Sequence, residues 1–468
     1  VYLGVALLCQ RENGSFLLLD PEDTQALPDD AQVVEYAVKM KRLEEFYFLH
    51  QLIEQEKVGV EEMKRLAERL SDFYYRQQEE AHQPEDIEQW GDRSVIRGNT
   101  DENFEQTEPF IDSLVPAETH QIIKTFTNAF LDHKADLFEQ RQQQGQIVDG
   151  HGDLHLEHIN ITPDEIHIYD CIEFNERFRY QDIAADVGFL GMDLDFRGRT
   201  DLSQYVINHL STQLVDPEMR RLMDFYKCYR AMVRAKIEAL TSEESEVPAE
   251  KQQAATETAR RYFNLALRYA TLGSEPIALI FMGRIGTGKS TLAEQVAQQF
   301  QVKHYASDAI RKELAGLPLG KMSPEEIQDD LYSHWMSDKT YSAFYDRASI
   351  QLQVGNSVIL DATFSRRNKR KELVQLFDDL EVPYYFIHTQ APDEVIKERL
   401  RKRDNEEHVI SDARLENFET LNAIFEIPDE VHPDRYIPVA TDQPLKRSLS
   451  DLHQQLLQAH LSRLDIYL

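Results

Sequence analysis

The stretch Phe281-Met-Gly-Arg-Ile-Gly-Thr-Gly-Lys-Ser-Thr291 sets Gly283, Gly288, Lys289 and Ser290 at the spacing G-x-x-x-x-G-K-[ST]. Those residue types at that spacing bind phosphate. Glycines let backbone N–H groups close on phosphate oxygens, a lysine brings a point charge to the β and γ phosphates, and the following hydroxyl serves Mg²⁺. Gly283, Gly286, Gly288, Lys289, Ser290 and Thr291 are therefore the candidate phosphate-binding residues. Such a loop must join a strand to a helix. Pro276 to Phe281 is a short apolar run suited to a buried parallel strand, and Thr291 to Phe300 has apolar residues at helical spacing. The helix start adds a dipole that favours an anion.

Further candidates follow the loop. Asp308 and Arg311 stand three apart beyond a second strand, so they share a helix face at the carboxyl edge of a sheet, where open α/β sheets bind ligands. A carboxylate there can orient or deprotonate an acceptor hydroxyl, and Arg311 can hold an anionic group. Ser357 to Phe364 reads as a buried strand ending in Asp361, a position from which an acidic residue organises Mg²⁺. The basic run Lys397 to Arg403 precedes the polar segment Asp404 to Ser411. On a lid, Arg399 and Arg403 would neutralise charge developing on a transferred phosphoryl group.

A second stretch with chemistry is Gly150-His-Gly-Asp-Leu-His-Leu-Glu-His-Ile-Asn160, followed by alternating residues Glu165 to Phe174 that predict a strand with Asp170 and Glu173 near its end. His155, Glu157 and His158 are donor types for a transition metal. No further ligand stands at a defined spacing, so the sequence does not establish such a site.

The elements that must position these residues fall into two halves. Val1 to Cys9, Ser15 to Asp20 and Gln32 to Met40 predict strands, the first two joined as a hairpin across Asn13-Gly14. Helical periodicity runs through Glu44 to Glu54, Val60 to Tyr75, Ala117 to Gln143 and Met219 to Leu240; Ala81 to Glu108 has no sustained period and predicts a loop-rich segment. Thr241 to Glu250 is polar and acidic, an exposed connection, and a helix from Lys251 to Leu272 is capped by Gly273. Beyond it, strands at Ile277–Met282, Val302–Tyr305, Ser357–Asp361, Tyr384–His388 and Tyr436–Val439 alternate with helices, the pattern of a parallel sheet between helices. The expected division is 1–240, a linker and connecting helix over 241–274, and 275–468.

Composition narrows the partners. The 468 residues carry 51 Lys+Arg against 83 Asp+Glu, a formal charge of −32, which opposes nonspecific attraction to nucleic acid or an anionic membrane. Cys9, Cys171 and Cys228 are odd in number and widely spaced, giving neither a disulfide framework nor a zinc quartet, which suits a reducing cytoplasm. No apolar run approaches the ~18 residues of a membrane span. The chain lacks an initiator Met and is read as a fragment or a processed form.

Over residues 275–460, Gly283 to Ser290, Ser307-Asp308 with Arg311, Asp361-Ala-Thr363 and the Arg-rich segment before Ser411-Asp412-Ala413 resemble the small kinases of the zeta-toxin and polynucleotide-kinase group. The resemblance implies a P-loop NTPase fold and ATP–Mg²⁺-dependent transfer of the γ-phosphoryl group to a hydroxyl, with Asp308 as base or acceptor-orienting group. Over residues 1–240, His151-Gly-Asp-Leu-His155 and the downstream Asp170 resemble the aminoglycoside phosphotransferases, whose fold is protein-kinase-like. That resemblance implies Asp153 as catalytic base and Asp170 as a metal ligand. The family's Mg²⁺-binding Asn falls on His158 here, and imidazole suits hard Mg²⁺ less well than an amide oxygen. Tyr36-Ala-Val-Lys39 is similar to the kinase lysine strand, making Lys39 a candidate phosphate contact, but the preceding hairpin offers only Gly14, so the small lobe is reduced. The combined expectation is an α/β and α+β chain acting as a cytoplasmic ATP-dependent kinase with a small-molecule acceptor. The alternatives are a nucleotide-dependent switch ATPase carrying a pseudokinase binding module, and a polynucleotide 5′-hydroxyl kinase using Arg311, Arg366 and Arg367.

Overall fold

Asn13-Gly14 turns the chain as its residues require. Gly14 takes φ +83, its N–H bonds the Arg11 carbonyl, and the Asn13 side chain accepts from the Ser15 N–H at 2.9 Å. The turn joins β1 (Tyr2–Arg11) to β2 (Phe16–Leu19), and β3 (Ala31–Met40) returns on the other side of β1, giving the antiparallel order β2-β1-β3. This sheet is peripheral. Leu7 and Cys9 are buried, whereas Val5, Phe16, Leu18, Tyr36 and Val38 are exposed. The computed structural model describes residues 1–21, 27–79, 85–319, 324–403 and 414–466, so the expected polar segment Asp404 to Ser411 and Ser411-Asp412-Ala413 lie outside the described residues.

Helices then dominate: α1 (Leu49–Glu54), α2 (Val60–Gln77), α3 (Arg93–Thr107), α4 (Ala117–His133) and α5 (Ala135–Gln143). The loop-rich reading of Ala81 to Glu108 is corrected by α3. Asp92 caps it by accepting from the Ser94 N–H at 2.7 Å, and few of its residues are buried, so the apolar period is too faint to read. The helix expected over Ala117 to Gln143 is broken at Lys134, whose φ of −110 and ψ of 26 leave helical space. Short strands follow: β4 (Ile147–Asp149), β5 (Ile159–Ile161) and β6 (Ile166–Ile168). The strand expected through Phe174 stops at Ile168, because Asp170 takes a left-handed φ of +62. After α6 (Glu176–Arg179), β7 (Tyr180–Asp182) pairs with β4, and then come α7 (Ile183–Phe196), α8 (Thr200–Gln213), α9 (Met223–Glu243) and α10 (Ala249–Leu272). The helix expected from Met219 starts in earnest at Met223. Gly273 ends α10 at φ +87, as its type predicts.

The remaining chain alternates: β8 (Ala278–Met282), α11 (Lys289–Phe300), β9 (Lys303–Ala306), α12 (Ser307–Leu314), α13 (Glu325–Leu331), α14 (His334–Gln353), β10 (Val358–Asp361), α15 (Arg367–Asp379), β11 (Tyr384–Gln390), α16 (Asp393–Arg403), α17 (Phe418–Ala423), β12 (Tyr436–Ala440) and α18 (Leu445–Arg463). The five strands form a parallel sheet in the order β12-β11-β8-β10-β9, within a residue or two of the expected positions at most ends. Strand order reverses at β8, and helices cover both faces. This is a mixed α/β chain whose parallel sheet fits a P-loop NTPase fold. Among the described residues, no helix is long and apolar enough to cross a membrane.

One hydrophobic core runs through both halves, from Leu49 through Phe225, Tyr262 and Phe263 to Phe281, Ile387, Leu456 and Leu461. A polar clasp crosses the same junction. Asp224 Oδ2 meets His460 Nε2 at 3.0 Å, and Asp224 Oδ1 accepts from the Ser274 N–H and hydroxyl.

His453 of α18 is buried beside Phe300, its Nε2 has no partner, and burial pushes its pKa down to about 4 from 6.5. The folded state therefore takes up its proton later than the unfolded chain does, so this contribution to stability is whole above pH 6.5 and is lost as pH falls toward 4. Between pH 7 and 5 the wild type should lose about 2 kcal/mol that His453→Leu retains, read by urea unfolding of both proteins at the two pH values.

Candidate nucleotide site and a second carboxylate site

The phosphate-type loop leaves the carboxyl end of β8, in the middle of the sheet. Gly283 takes φ +148, and a Cβ there would sit 2.7 Å from the Thr389 carbonyl oxygen, so glycine is required by close approach as well as by conformation. Gly286 and Gly288 also have positive φ, and Gly288 delivers the chain into α11 at Lys289. Three threonines brace the loop. Thr287 Oγ1 bonds the Arg284 carbonyl at 2.8 Å and Thr389 Oγ1 at 2.8 Å, while the Thr441 hydroxyl, just beyond β12, donates to the Thr287 carbonyl. Arg399 of α16 reaches over the loop, donating to the Gly286 carbonyl at 3.4 Å and to the Thr441 carbonyl. Lys289 and Ser290 are half-buried at the helix start and Thr291 is exposed.

Parallel register brings the other candidates to the same edge. Asp361, the last residue of β10, is level with Phe281 on one side and Ala306 on the other. It is 2% exposed, its Oδ1 has no protein partner, and His304 Nε2 lies 3.7 Å from Oδ2. A buried carboxylate oxygen without a partner is costly unless something else meets it. An oxygen donor here, with the Ser290 hydroxyl, is what hard Mg²⁺ takes, so the residues fit that ion. Asp308 occupies the first turn of α12, directly after β9, and accepts from Arg311 Nη1 at 3.0 Å. Arg311 is buried, lies 4.6 Å from the Tyr332 ring centroid, and leaves Nε without a partner. Tyr341, whose hydroxyl bonds Thr363 and feels Arg311 and Asp308, is pushed up to about 12 by burial. Arg403 ends α16. A neighbouring cavity of about 350 Å³ is lined by Arg284, His388, Thr389, Gln390, Asn422 and Phe425.

The second site hangs on α7. The buried Asp186 carboxylate accepts from the N–H groups of His151 (2.7 Å) and Gly152 (2.9 Å), and Asp193 accepts from the Leu156 N–H at 3.0 Å. The loop so held gathers Asp153, His155 and His158, the His155 and His158 rings lying 4.0 Å apart. Burial raises the Asp153 pKa, but the His155 contact and the charges of His155 and His158 outweigh it and bring the carboxyl down to about 2. Burial, then His155, lowers His158. Asp170 lies across His158, with Oδ2 3.5 Å from Nε2, so an imidazole stands between the two carboxylates and the donor set does not fit Mg²⁺. Lys39 is exposed on β3 opposite Gly4, and among the described contacts none joins it to Asp153 or Asp170.

The structure thus assembles the loop glycines with Arg399, pairs Asp308 with Arg311, and clusters Asp153 with His158 and Asp170, while Lys39 stands apart. Thr389, Thr441, His304, Tyr341 and Asp186 were not expected. Asp186, Asp193 and Asp195 had a signal, three acids in an otherwise apolar helix; Thr389 and Thr441 sit at carboxyl ends of parallel strands.

Residues 279–428 match a family described as an AAA domain. Uncharacterised proteins of Mycobacterium bovis and Mycobacterium tuberculosis are 30% identical over 338 residues, 72% of this chain; the match spans 66% of those relatives' length. Among solved structures, a gluconokinase from Sinorhizobium meliloti is 20% identical over 41% of this chain and 98% of its own, with a TM-score of 0.30. The Mycobacterium tuberculosis APS kinase is 15% identical over 39% of this chain and 98% of its own, with a TM-score of 0.28.

Gly283→Ala should destabilise the protein by about 1–3 kcal/mol, since the methyl group meets backbone that cannot turn aside. Gly316→Ala, also at positive φ but with open space around it, should cost less, and denaturant unfolding of the two variants separates packing from conformation.

Proposed function

We propose that the chain is an ATP-dependent kinase that transfers the γ-phosphoryl group to a hydroxyl of a small molecule through residues 275–468. One observation carries this reading: the G-x-x-x-x-G-K-S loop, the unpartnered Asp361 oxygen and the Asp308–Arg311 pair converge on one carboxyl edge of a parallel sheet. The loop N–H groups and Lys289 hold the β and γ phosphates. Ser290 and Asp361 would hold Mg²⁺, which when bound neutralises phosphate charge. The acceptor oxygen forms its bond to the γ phosphorus, the bond to the β–γ bridging oxygen breaks, ADP leaves, and Asp308 takes the hydroxyl proton. Arg311 holds the Asp308 carboxylate in place and orients the acceptor, and Arg399 and Arg403 add positive charge from the α16 side. A polynucleotide acceptor is disfavoured. Arg367 is already tied to Asp429 and Glu430, and the chain carries −32. Its three cysteines are free, which suits a reducing cytoplasm.

In the first 240 residues we read a kinase-like region with Asp153 at its centre, binding substrate or acting as a second phosphotransferase. A nucleotide-dependent switch remains the rival, and Asp308 discriminates because a switch needs no acceptor base. The test is an acceptor screen with γ-labelled ATP on wild type, Lys289→Ala, Asp308→Ala and Asp153→Ala. Lys289→Ala should lose labelling by at least about 100-fold; Asp308→Ala should keep ATP binding and lose transfer by about 10²–10⁴-fold. Equal ATP turnover in wild type and Asp308→Ala, with no labelled acceptor, sinks the kinase reading.

A further inference from the structure

We propose that Asp153, His155 and His158, with Asp170 beside them, form a binding site for a divalent transition ion of the zinc class, separate from the nucleotide site. The chemistry of the donors comes first. Two imidazoles and a carboxylate suit Zn²⁺ and its neighbours, whereas Mg²⁺ demands oxygen. One ligand atom from each of Asp153, His155 and His158 lies within 4.8 Å of the others, and theirs is a three-member cluster found among the described residues.

The separations fit an ion better than they fit hydrogen bonds. Asp153 Oδ2 is 3.5 Å from His155 Nε2 and 3.6 Å from His158 Nδ1. Hydrogen bonds of this type close to roughly 2.7–3.2 Å. Donors about 2.0–2.2 Å from a tetrahedral ion stand roughly 3.3–3.6 Å from one another. The ligands are also held in advance. Asp186 and Asp193 fix the loop backbone, and His151 Nε2 bonds the Tyr169 carbonyl at 2.9 Å, tying the loop to the residue before Asp170.

Tautomers decide which nitrogens bind. His158 Nδ1 lies 3.0 Å from the Asp153 carbonyl oxygen, which only accepts, so without an ion the ring proton is at Nδ1; capture of the ion at Nδ1 moves that proton to Nε2, where Asp170 Oδ2 stands 3.5 Å away to accept it. His155 Nδ1 takes the Glu157 N–H at a long 3.4 Å. Metal capture at His155 Nε2 moves the ring proton to Nδ1 and gives up that weak contact, a small loss against a metal bond.

The test is titration of the full chain with Zn²⁺ in competition with a chromophoric chelator, repeated in excess Mg²⁺. One tight ion per chain, undisplaced by Mg²⁺, is expected. His155→Ala and His158→Ala should each weaken it by at least about tenfold, and added Zn²⁺ should raise the thermal midpoint of the wild type but of neither variant, whereas His334→Ala, which removes an exposed His–Asp pair on α14, should leave Zn²⁺ binding as it was. His158→Asn should trade Zn²⁺ affinity for Mg²⁺ affinity. Affinity equal in wild type, His155→Ala and His158→Ala, or no saturable ion, overturns the proposal; either result would mean scattered surface carboxylates. Neither result bears on Lys289 or Asp308, so the kinase reading stands or falls separately.

Discussion

Helix α7 is buried on every side, and it carries three aspartates. A buried carboxylate must find donors or it destabilises the fold by several kcal/mol, so each of these acids dictates what is built around it. Asp186 collects the N–H groups of His151 and Gly152, the amide of Gln181 and, at 3.3 Å, the hydroxyl of Tyr74, whose pKa burial and this neighbour push well above its usual value. Asp193 collects Leu156 N–H, and Asp195 collects Lys227 Nζ and the Tyr269 hydroxyl. The first two pin both ends of the Asp153 loop. The third joins α7 to α9 and α10. The positions of Asp153, His155 and His158 are thus a by-product of satisfying charge in the core.

The candidate nucleotide site rests on a different constraint, the close approach of backbones. The loop after β8 is squeezed between the end of β11 and the residue after β12, which leaves no room for a Cβ at Gly283 and sets the Thr287, Thr389 and Thr441 hydroxyls against loop carbonyls. Those bonds use up inward-facing acceptors. The Gly283 and Thr287 N–H groups are taken by the Thr363 and Arg284 carbonyls, while the first-turn amides of α11 have no acceptor within the helix, the arrangement that favours an anion. Parallel pairing then does the rest, because strands in register end together. That is why Asp361 and the start of α12 arrive at the edge where the loop stands.

How much of this was legible follows from which signals are local. The G-x-x-x-x-G-K-S spacing, the apolar run before it and the alternation of strands and helices are written along the chain, and the sheet appears close to where they place it. Helix α3 was missed because its buried residues are Thr100, Asn103, Phe104 and Thr107, of which Phe104 is the one strong apolar marker. Asp170 was read into a strand because alternation says nothing of a single left-handed residue. The grouping of Asp153 with the two histidines was invisible for a related reason. The spacing Asp-x-His-x-x-His converges only when the loop is folded back by Asp186, some thirty residues downstream, and by a 3₁₀ turn at Leu156–His158.

The junction between the halves limits how they can work together. A hinge needs a boundary that few buried contacts cross. Here α9, α10, α11 and α18 share one core, His460 stacks on Phe126 at 5.4 Å, and Asp224 is held well below the usual carboxylate range, burial being overcome by His460 and Ser274. Swinging one half against the other would strip both the apolar surface and a buried ion pair. A small separate cluster, Ile285, Ala391, Ile396, Leu400 and Phe418, joins the loop after β8 to α16 and α17 and is detached from the main core. It can open at the cost of few buried side chains, and Arg399, which bridges Gly286 to Thr441, would move with it. The contacts that a local opening beside the loop would break at the least cost are therefore those of α16 and α17, whereas moving the Asp153 site against the sheet would disrupt the main core.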